Sequence, residues 1–447
     1  MKKALLLMLA CLIAATPAIA GAEAISLREA VNRALSGNHS IKAARYEQEA
    51  ARQGAAASHG RYWPSVYFES GVSLSNTPSR VFMMKLDEAR INPSSDFSAE
   101  RLNHPSARGD FRSALAVEQP LWDRQIATVA ELAAKDAEAA ETSLEFNRET
   151  IAFRVYNAYL EVRTARAARD MSEHAVADAR EHSRLAAVRE NEGMGLKSDV
   201  LRSASELSEA EQRLVTAAND LLIARLRLNQ VIGGPQGESI DITEEPRLAE
   251  PSQTSDALVS TAFKNRPELR AARKLLEKGE LLVRQANNAY LPTLYAGATY
   301  QINDRDLPLG WDNDSWSLGI NLRWEIFDGQ RRSHDKRKAE FAHDAVAESF
   351  ENARRDVALQ VHEAVLRRQE SKLRLASARQ ALDAAQEGVR LVGKRFANGL
   401  CTMVELMDAE STLNRARLNM VEMENNDLRS TAQIHYATGQ FLQEVMR

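Results

Sequence analysis

Cysteine is nearly absent from this 447-residue chain, which carries only Cys11 and Cys401. Cys11 lies in an N-terminal segment expected to be removed, so no intrachain disulfide can staple the mature protein, even in an oxidising compartment. Glycine and proline are scarce as well, at 20 and 12 residues. With few turn formers and abundant Ala, Leu, Glu and Arg, most of the chain is expected to be helical. Beyond the N-terminus, no apolar stretch is long enough for a transmembrane helix. A strong charge of one sign is missing too: the net charge is −4 and the isoelectric point near 6.2, which argues against nucleic acid as a partner. No nucleophile elbow, phosphate loop or cysteine cluster is present, so neither catalysis nor a cofactor is expected. His174, Asp178 and His182 recur at i, i+4 and i+8 and could hold a metal. On a charged, alanine-rich outer helix they read as solvated surface, and no metal site is expected.

What is present begins with Met1-Lys2-Lys3, an apolar stretch from Ala4 to Ala15, and Ala18-Ile19-Ala20 before Gly21. This pattern reads as a secretory signal peptide over residues 1–20. The apolar stretch falls short of the roughly 18 residues needed to span a bilayer. Cys11 sits too early in it for lipid attachment.

The mature chain is written twice. Ile41-Lys42-Ala43-Ala44-Arg45 returns as Leu269-Arg270-Ala271-Ala272-Arg273. Tyr62, Pro64 and Tyr67 return as Tyr290, Pro292 and Tyr295, at an offset of about 228 residues. Later the offset falls to about 206, where Arg189, Gly193 and Gly233 meet Arg395, Gly399 and Gly439. Residues 21–232 form a first repeat and 256–447 a second, joined by a linker over 233–255 that is rich in Gly, Pro and Glu. Each repeat runs helix, strand, strand, very long helix, helix.

Four segments abandon the helical period and alternate strictly. In the first (about 65–75), Val66, Phe68, Val72 and Leu74 oppose Tyr67, Glu69, Ser73 and Ser75. In the second (about 111–121), Phe111, Leu115 and Val117 oppose Arg112, Ala116 and Glu118. The third (293–302) sets Leu294, Ala296, Ala298, Tyr300 and Ile302 against Thr293, Gly297, Thr299 and Gln301. The fourth (315–326) sets Trp316, Leu318, Ile320, Leu322, Trp324 and Ile326 against Ser317, Gly319, Asn321, Arg323 and Glu325. Strands of roughly 10 residues with one apolar and one polar face match an outer-membrane barrel with a wet lumen. An open edge is not tolerated in lipid, so insertion demands oligomerisation. Three copies lending four strands each would give about 12, enough for an open pore. Trp63, Trp122, Trp316 and Trp324 lie near strand ends, where an interfacial aromatic belt would need them.

The segment from about Arg124 to Glu190 reads as one helix, ~100 Å long. Leu27 to Gly60 and Lys197 to Ile232 are each near half that length, and the second repeat has the same proportions. A long helical barrel with a waist where the short helices meet follows. Its seam is visible in Val200, Leu207, Leu214, Leu221 and Leu228, with Ala210, Ala217, Ala224 and Val231 at the second heptad position. Leu406, Leu413, Met420 and Ile434 occupy the corresponding seam of the second repeat.

Each long helix ends at a glycine stop, in Arg189-Glu190-Asn191-Glu192-Gly193-Met194 and in Arg395-Phe396-Ala397-Asn398-Gly399-Leu400, so both are hairpin tips. An exported, duplicated chain of long helices and paired strands, with tips of the form R-x-x-x-G-[LM], resembles the TolC-like outer-membrane efflux proteins. The likeness covers about Ser26 to Gly439. The element order and the second tip, followed by V-E-L-M-D-A-E-S-T-L, carry it most specifically.

The resemblance implies a fold that is mainly α with a small β part: duplicated long antiparallel helical hairpins forming a trimeric α-barrel, topped by a 12-stranded outer-membrane β-barrel. It implies a homotrimer in the outer membrane reaching into the periplasm, an adaptor protein docking at Arg189, Gly193, Met194, Gly399 and Leu400, and an inner-membrane pump of proton-driven (RND) or ATP-driven (ABC) type. A periplasmic constriction would be formed by Glu405, Asp408, Arg395 and Phe396, with the two carboxylates on one helix face stacking as acidic rings that attract cations. Cys401 stands where the family can carry a basic residue, and Phe396 lacks a hydroxyl expected of a gate aromatic. Asp199 keeps the acid in the first repeat, whereas Arg202 reverses the second charge, so the pinch is expected chiefly from the second repeat. The function implied is a passive exit duct for small toxic molecules. Polypeptide secretion, heavy-metal cation efflux and, more distantly, a pore-less periplasmic coiled coil are the alternatives.

Overall fold

The computed structural model describes residues 23–243 and 246–447; the signal-peptide assignment and Cys11 lie outside the described residues. The first half runs β1 (Glu23–Ile25), α1 (Leu27–Gly37), α2 (His39–His59), β2 (Ser65–Ser75), α3 (Pro78–Asp87), α4 (Ala99–Asn103), β3 (Arg108–Trp122), α5 (Arg124–Asn191) and α6 (Lys197–Ile232). The second runs β4 (Ile240–Ile242), α7 (Ser255–Asn265), α8 (Pro267–Asn288), β5 (Thr293–Asp304), β6 (Asn313–Arg323), α9 (Arg331–Ala397), α10 (Met403–Ala437) and α11 (Phe441–Met446). The protein is mainly helical, with one four-stranded antiparallel sheet and a short parallel pair of β1 with β4. Two compact units form, each drawing on both halves of the sequence. One takes residues up to 47, 141–271 and 351–447, and the other takes 48–140 and 272–350.

In the sheet unit the strand order is β2-β3-β5-β6, antiparallel throughout. Register decides which side chains share a face, because a slip of one residue would exchange the two faces. Val66 pairs with Val117, Phe68 with Leu115 and Val72 with Phe111. Leu115 continues to Tyr300 and Val117 to Ala298. Tyr300 then meets Trp316, Ala298 meets Leu318, Ala296 meets Ile320 and Leu294 meets Leu322. One face is thus apolar across all four strands, and Val72, Leu74, Leu318, Ile320 and Leu322 on it are exposed. The opposite face carries Glu69, Ser73, Arg112, Glu118, Gln301 and Asn321. Among the described residues, the outer edges of β2 and β6 have no partner strand.

Strand boundaries differ from the sequence reading, with β5 running on to Asp304 and β6 beginning at Asn313. β3 is longer, starting at Arg108. β6 stops at Arg323, so Trp324 and Ile326 are not strand residues. The cause is the partner strand: Thr293 pairs with Arg323, and Pro292 before it has no N–H with which to extend the ladder. Trp324 instead donates its indole N–H to the Tyr290 carbonyl at 3.1 Å.

The long β2–β3 connection is an ordered cap rather than a plain loop. Its helix α3 returns over the polar face and leaves a cleft of about 700 Å³ lined by Glu69, Met83, Asp110, Arg112 and Gln301, with α4 packed beside it. Arg108 Nε donates to Glu88 at 2.9 Å, Lys85 meets Asp96 at 2.7 Å, and Asn313 donates to the Asp87 carbonyl at 2.9 Å.

In the helical unit, the main core gathers Ile25, Val31, Ile41, Val155, Tyr156, Tyr159, Leu228 and Phe441, all essentially excluded from solvent. The heptad positions behave as their spacing requires. Ala210, Ala217, Leu221, Ala224 and Leu228 of α6 are buried, as are Leu406, Leu413, Met420 and Ile434 of α10. Where the sequence reads one helix from Leu27 to Gly60 and one from Asp256 to Ala289, each is broken. The breaks fall at Asn38 (ψ 128°) and Arg266 (ψ 120°). Pro267 explains the second, since a proline pushes the preceding residue into the extended region. At the first, the Asn38 carboxamide oxygen caps the next helix by accepting from the Ser40 amide at 2.8 Å.

Both breaks receive the end of another helix. Gly233 closes α6 at φ +82°, and a Cβ there would lie 2.6 Å from the Gly37 backbone. Gly439, beyond α10, has φ +69° and would meet Arg266 N at 3.0 Å. Asn38 donates to the Val231 carbonyl at 2.7 Å, and Arg266 donates to the Ala437 carbonyl at 3.2 Å. The duplication is therefore physical: two different side chains make the same joint.

Gly399→Ala is expected to cost about 1 kcal/mol from its left-handed φ alone, since nothing lies within 4 Å of its added Cβ. Gly233→Ala is expected to cost about 3 kcal/mol or more, because backbone must also shift. Circular-dichroism melts ranking the two the other way would contradict this joint. A second expectation concerns Glu149. Burial pushes its carboxyl up to about 7, although it accepts the Leu442 N–H at 2.8 Å. A folded value above the unfolded 4.5 means that stability is complete below that lower value and is lost as pH rises towards 7. Glu149→Gln should therefore stabilise the protein by about 2 kcal/mol at pH 8 and hardly at all near pH 4; equal effects at both would refute the assignment.

Candidate functional site at the hairpin tips

Both tips are closed by the same pair of backbone bonds. At the first, Met194 N donates to Arg189 O at 2.8 Å and Gly193 N to Glu190 O at 3.0 Å. At the second, Leu400 N donates to Arg395 O at 2.8 Å and Gly399 N to Phe396 O at 3.0 Å. With Gly193 and Gly399 at φ +74° and +72°, this is the Schellman closure, in which a left-handed glycine lets the chain reverse. Both glycines face open space. Beside them Met194 and Leu400 are 72% and 66% exposed, so each tip pairs bare backbone with an apolar side chain. Leu196, 67% exposed, enlarges this patch and escapes the sequence reading. Gly195 escapes it too: a Cβ there would lie 2.9 Å from Glu190 N.

The second half of each turn differs. Thr402 caps α10, accepting the Glu405 N–H at 3.2 Å, while the Glu405 carboxylate accepts from the Thr402 N–H at 3.3 Å. This capping box is legible in Thr402-Met403-Val404-Glu405 as Thr-x-x-Glu. In the first repeat the cap position is Leu196, which offers no side-chain acceptor. Glu405 thus has a structural task besides its charge. Asp408, one turn further, is exposed with Glu405 on the side of α10 opposite buried Met403 and Leu406.

Arg395 and Phe396 do not stand with those carboxylates. Arg395 spans its own turn, donating to the Leu400 carbonyl at 3.3 Å. Phe396 is 7% exposed and packs with Ala186, Met403 and Leu406. The Arg189 guanidinium sits over its ring at 4.2 Å, a cation–π contact across the two hairpins. Cys401 is a half-buried free thiol whose sulfur approaches the Val392 carbonyl at 3.5 Å.

Higher on the same seam, His182 and Glu410 meet at 2.5 Å. The sequence places His182 on a solvated face with His174 and Asp178. In the fold His182 is 9% exposed and His174 is exposed. Among the described residues, no cluster of His, Cys, Asp or Glu could hold a metal ion, and no helix is long and apolar enough to cross a membrane.

Paired helical hairpins with glycine-closed tips, joined in one chain to a sheet apolar on one face, define the protomer of a channel protein of the outer membrane. The chain belongs to the outer membrane efflux protein family, which matches it over residues 30–234 and 258–440. It is 23% identical over 358 residues to outer membrane protein TolC of Vibrio cholerae, covering 78% of this chain and 82% of that one. It is 24% identical to outer membrane protein TolC of Escherichia coli over 56% of this chain and about half, 53%, of that protein's length. In fold it is similar to the Campylobacter jejuni CmeC outer membrane channel, with a TM-score of 0.78 at 16% identity, covering 93% of this chain and 86% of that one. The protein is accordingly one of the outer membrane, extending into the periplasm. Its family and fold are those of passive channel proteins rather than enzymes.

Phe396→Ala removes the aromatic shared by the two hairpins. Hydrogen exchange should then accelerate over residues 185–189 and 400–407, with the main core around Tyr156 unchanged; unchanged tips would show that Phe396 does not join them.

Proposed function

We propose that three copies of this chain form a passive exit duct through the outer membrane. It serves a periplasmic adaptor and an inner-membrane pump and carries small toxic molecules, with no catalytic step, nucleotide or nucleic acid of its own. The observation that carries this reading is the sheet. Its apolar face spans all four strands, yet both edges are open. Such a sheet can enter lipid only once its edges are paired, and copies of itself are the partners of matching length. Four strands per copy make about 12 in a trimer, with the polar face turned to water. Val66, Phe68, Val72, Leu74, Leu115, Val117, Leu294, Tyr300, Leu318, Ile320 and Leu322 are then the lipid-facing residues, and Trp324 lies just past its strand at the membrane border.

On α9, the exposed apolar stripe of Leu359, Leu366 and Leu373 supports helix pairing between copies, since its heptad spacing suits a coiled seam. Glu405 and Asp408, repeated threefold, supply the acidic narrowing; Arg395 and Phe396 act behind it by fixing the tip. Gly193, Met194, Gly399 and Leu400, with Arg189 beneath, form the adaptor's docking surface, where bare glycine backbone admits a second hairpin closely.

Crosslinking in the native envelope, followed by identification of what co-purifies, tests the assignment. A proton-driven pump with an adaptor supports it, and an ATP-driven exporter would shift the cargo towards polypeptides. Single-channel recording tests the acidic narrowing. Glu405→Gln preserves the cap geometry, so the double variant Glu405→Gln, Asp408→Asn should stay folded, lose most of its cation selectivity and escape block by trivalent cations. Unchanged selectivity would remove these residues from the narrowing.

A further inference from the structure

Along the seam between α5 and α10, polar rungs tie the first hairpin to the second. Nearer the waist these are Arg429 to Asn157 at 3.0 Å, Arg163 to Glu424 at 2.8 Å and Asn425 to Thr164 at 2.5 Å. None of these involves a histidine. Towards the tip the seam opens into a cavity of about 380 Å³, lined by Asp178, His182, Glu206, Arg213, Met407 and Glu410. On its wall, His182 Nε2 meets Glu410 Oε2 at 2.5 Å, and His182 Nδ1 is buried with no hydrogen-bond partner. Beyond the cavity lies the Phe396 cluster. The His182–Glu410 pair is thus a polar tie beside an unfilled space, close to where the hairpins turn.

We infer that His182 and Glu410 form a proton-operated latch that holds the second hairpin against the first and releases the tip when the imidazole loses its proton. The imidazolium supplies a charge-assisted bond to the Glu410 carboxylate. Once it is neutral, Glu410 is left part-buried without its counter-charge, and breaking such a pair is strongly destabilising. The adjacent cavity leaves α10 without close packing against α5 and α6 at this point, so the tie rests on the pair rather than on a close-packed seam.

The surrounding charges set the direction. Glu410, acting against burial, holds His182 above its ordinary value, with Asp178 and Glu181 of its own helix adding to the effect. Burial, then Glu410, pushes Asp178 upward, while His182, His174 and Arg417 oppose. Glu206 and Arg213 of α6 and Arg415 of α10 complete the ring of charges facing the pair. Because the closed-state value of His182 is raised, the latch is complete below the free imidazole value and lost as pH rises through the closed-state one.

The gating outcome rests on the channel reading above, so the test has two arms. In planar bilayers, the wild-type protein should conduct several-fold better at about pH 9 than at about pH 6. His182→Gln and Glu410→Gln should conduct at the high level throughout, whereas the apolar pair His182→Phe, Glu410→Leu should stay low and insensitive to pH. A rise that persists in His182→Gln, or no rise in the wild type, would overturn the latch. In detergent, hydrogen exchange over residues 403–418 should quicken with pH beyond its intrinsic rate in the wild type and not in His182→Gln. Silence in every bilayer with this exchange pattern intact would count against the channel and not the latch. Exchange that follows the same course in both proteins would count against the latch whatever the bilayers show.

Discussion

A peptide group in hydrocarbon has nowhere to place its N–H and C=O except on another peptide group, and each one left over costs several kcal/mol. The sheet β2-β3-β5-β6 meets this demand internally along its three ladders and fails it at both outer edges. Everything else about the architecture follows from that shortfall. The chain cannot insert alone, so its membrane part must be closed by copies. A closed sheet of about 12 strands is wide enough to be wet inside, which suits a face carrying Glu69, Arg112, Glu118, Gln301 and Asn321. Helix α3, pinned by Arg108, Lys85 and Asn313, rests on that same polar face. The β2–β3 connection is therefore an organised surface, with buried ion pairs of its own.

The helical unit solves a different problem. Hairpins this long need fixed points, and the duplication supplies them in matched pairs. At each helix break, a left-handed glycine brings the end of another helix onto bare backbone, and a side chain at the break bonds a carbonyl of the arriving helix. Asn38 does this with a carboxamide and Arg266 with a guanidinium, so the two repeats conserve the joint and not the residue. The tips follow the same logic without the arriving helix: Gly193 and Gly399 close their turns and then face open space. Where the repeats diverge, at Leu196 against Thr402 and Arg202 against Asp408, the second hairpin is better capped and more acidic. That asymmetry is the reason for placing the proposed narrowing on it.

Much of this is legible in the sequence because alternation and heptad spacing report directly on which side of an element is buried. The four strands, their apolar faces and the seam from Ala210 to Leu228 all emerge from periodicity alone. The glycine stops are equally plain, since φ above zero is rarely open to other residues. What periodicity cannot see is where one element's end depends on another. β6 stops at Arg323 because Pro292 lies across the sheet, and Trp324 still looks like a strand residue in isolation. Asn38 breaks a helix with no proline to announce it. Phe396 reads as a gate residue by its place in the motif, yet it is buried because Ala186, distant in sequence, and Leu406, just across the turn, close over it. His182 reads as solvated for the same reason: Glu410 comes from the other repeat. The capping box at Thr402 and Glu405 could have been found from spacing, but the acidic charge drew the reading towards the pore.

The central claim is that the open edges of one sheet are closed by other copies in the membrane. Native mass spectrometry of the protein extracted from outer membranes in mild detergent tests it most directly. The account predicts one dominant species of three copies that persists on dilution. A stable monomer carrying the same strands would contradict it, because a four-stranded sheet with two free edges would then be surviving in lipid.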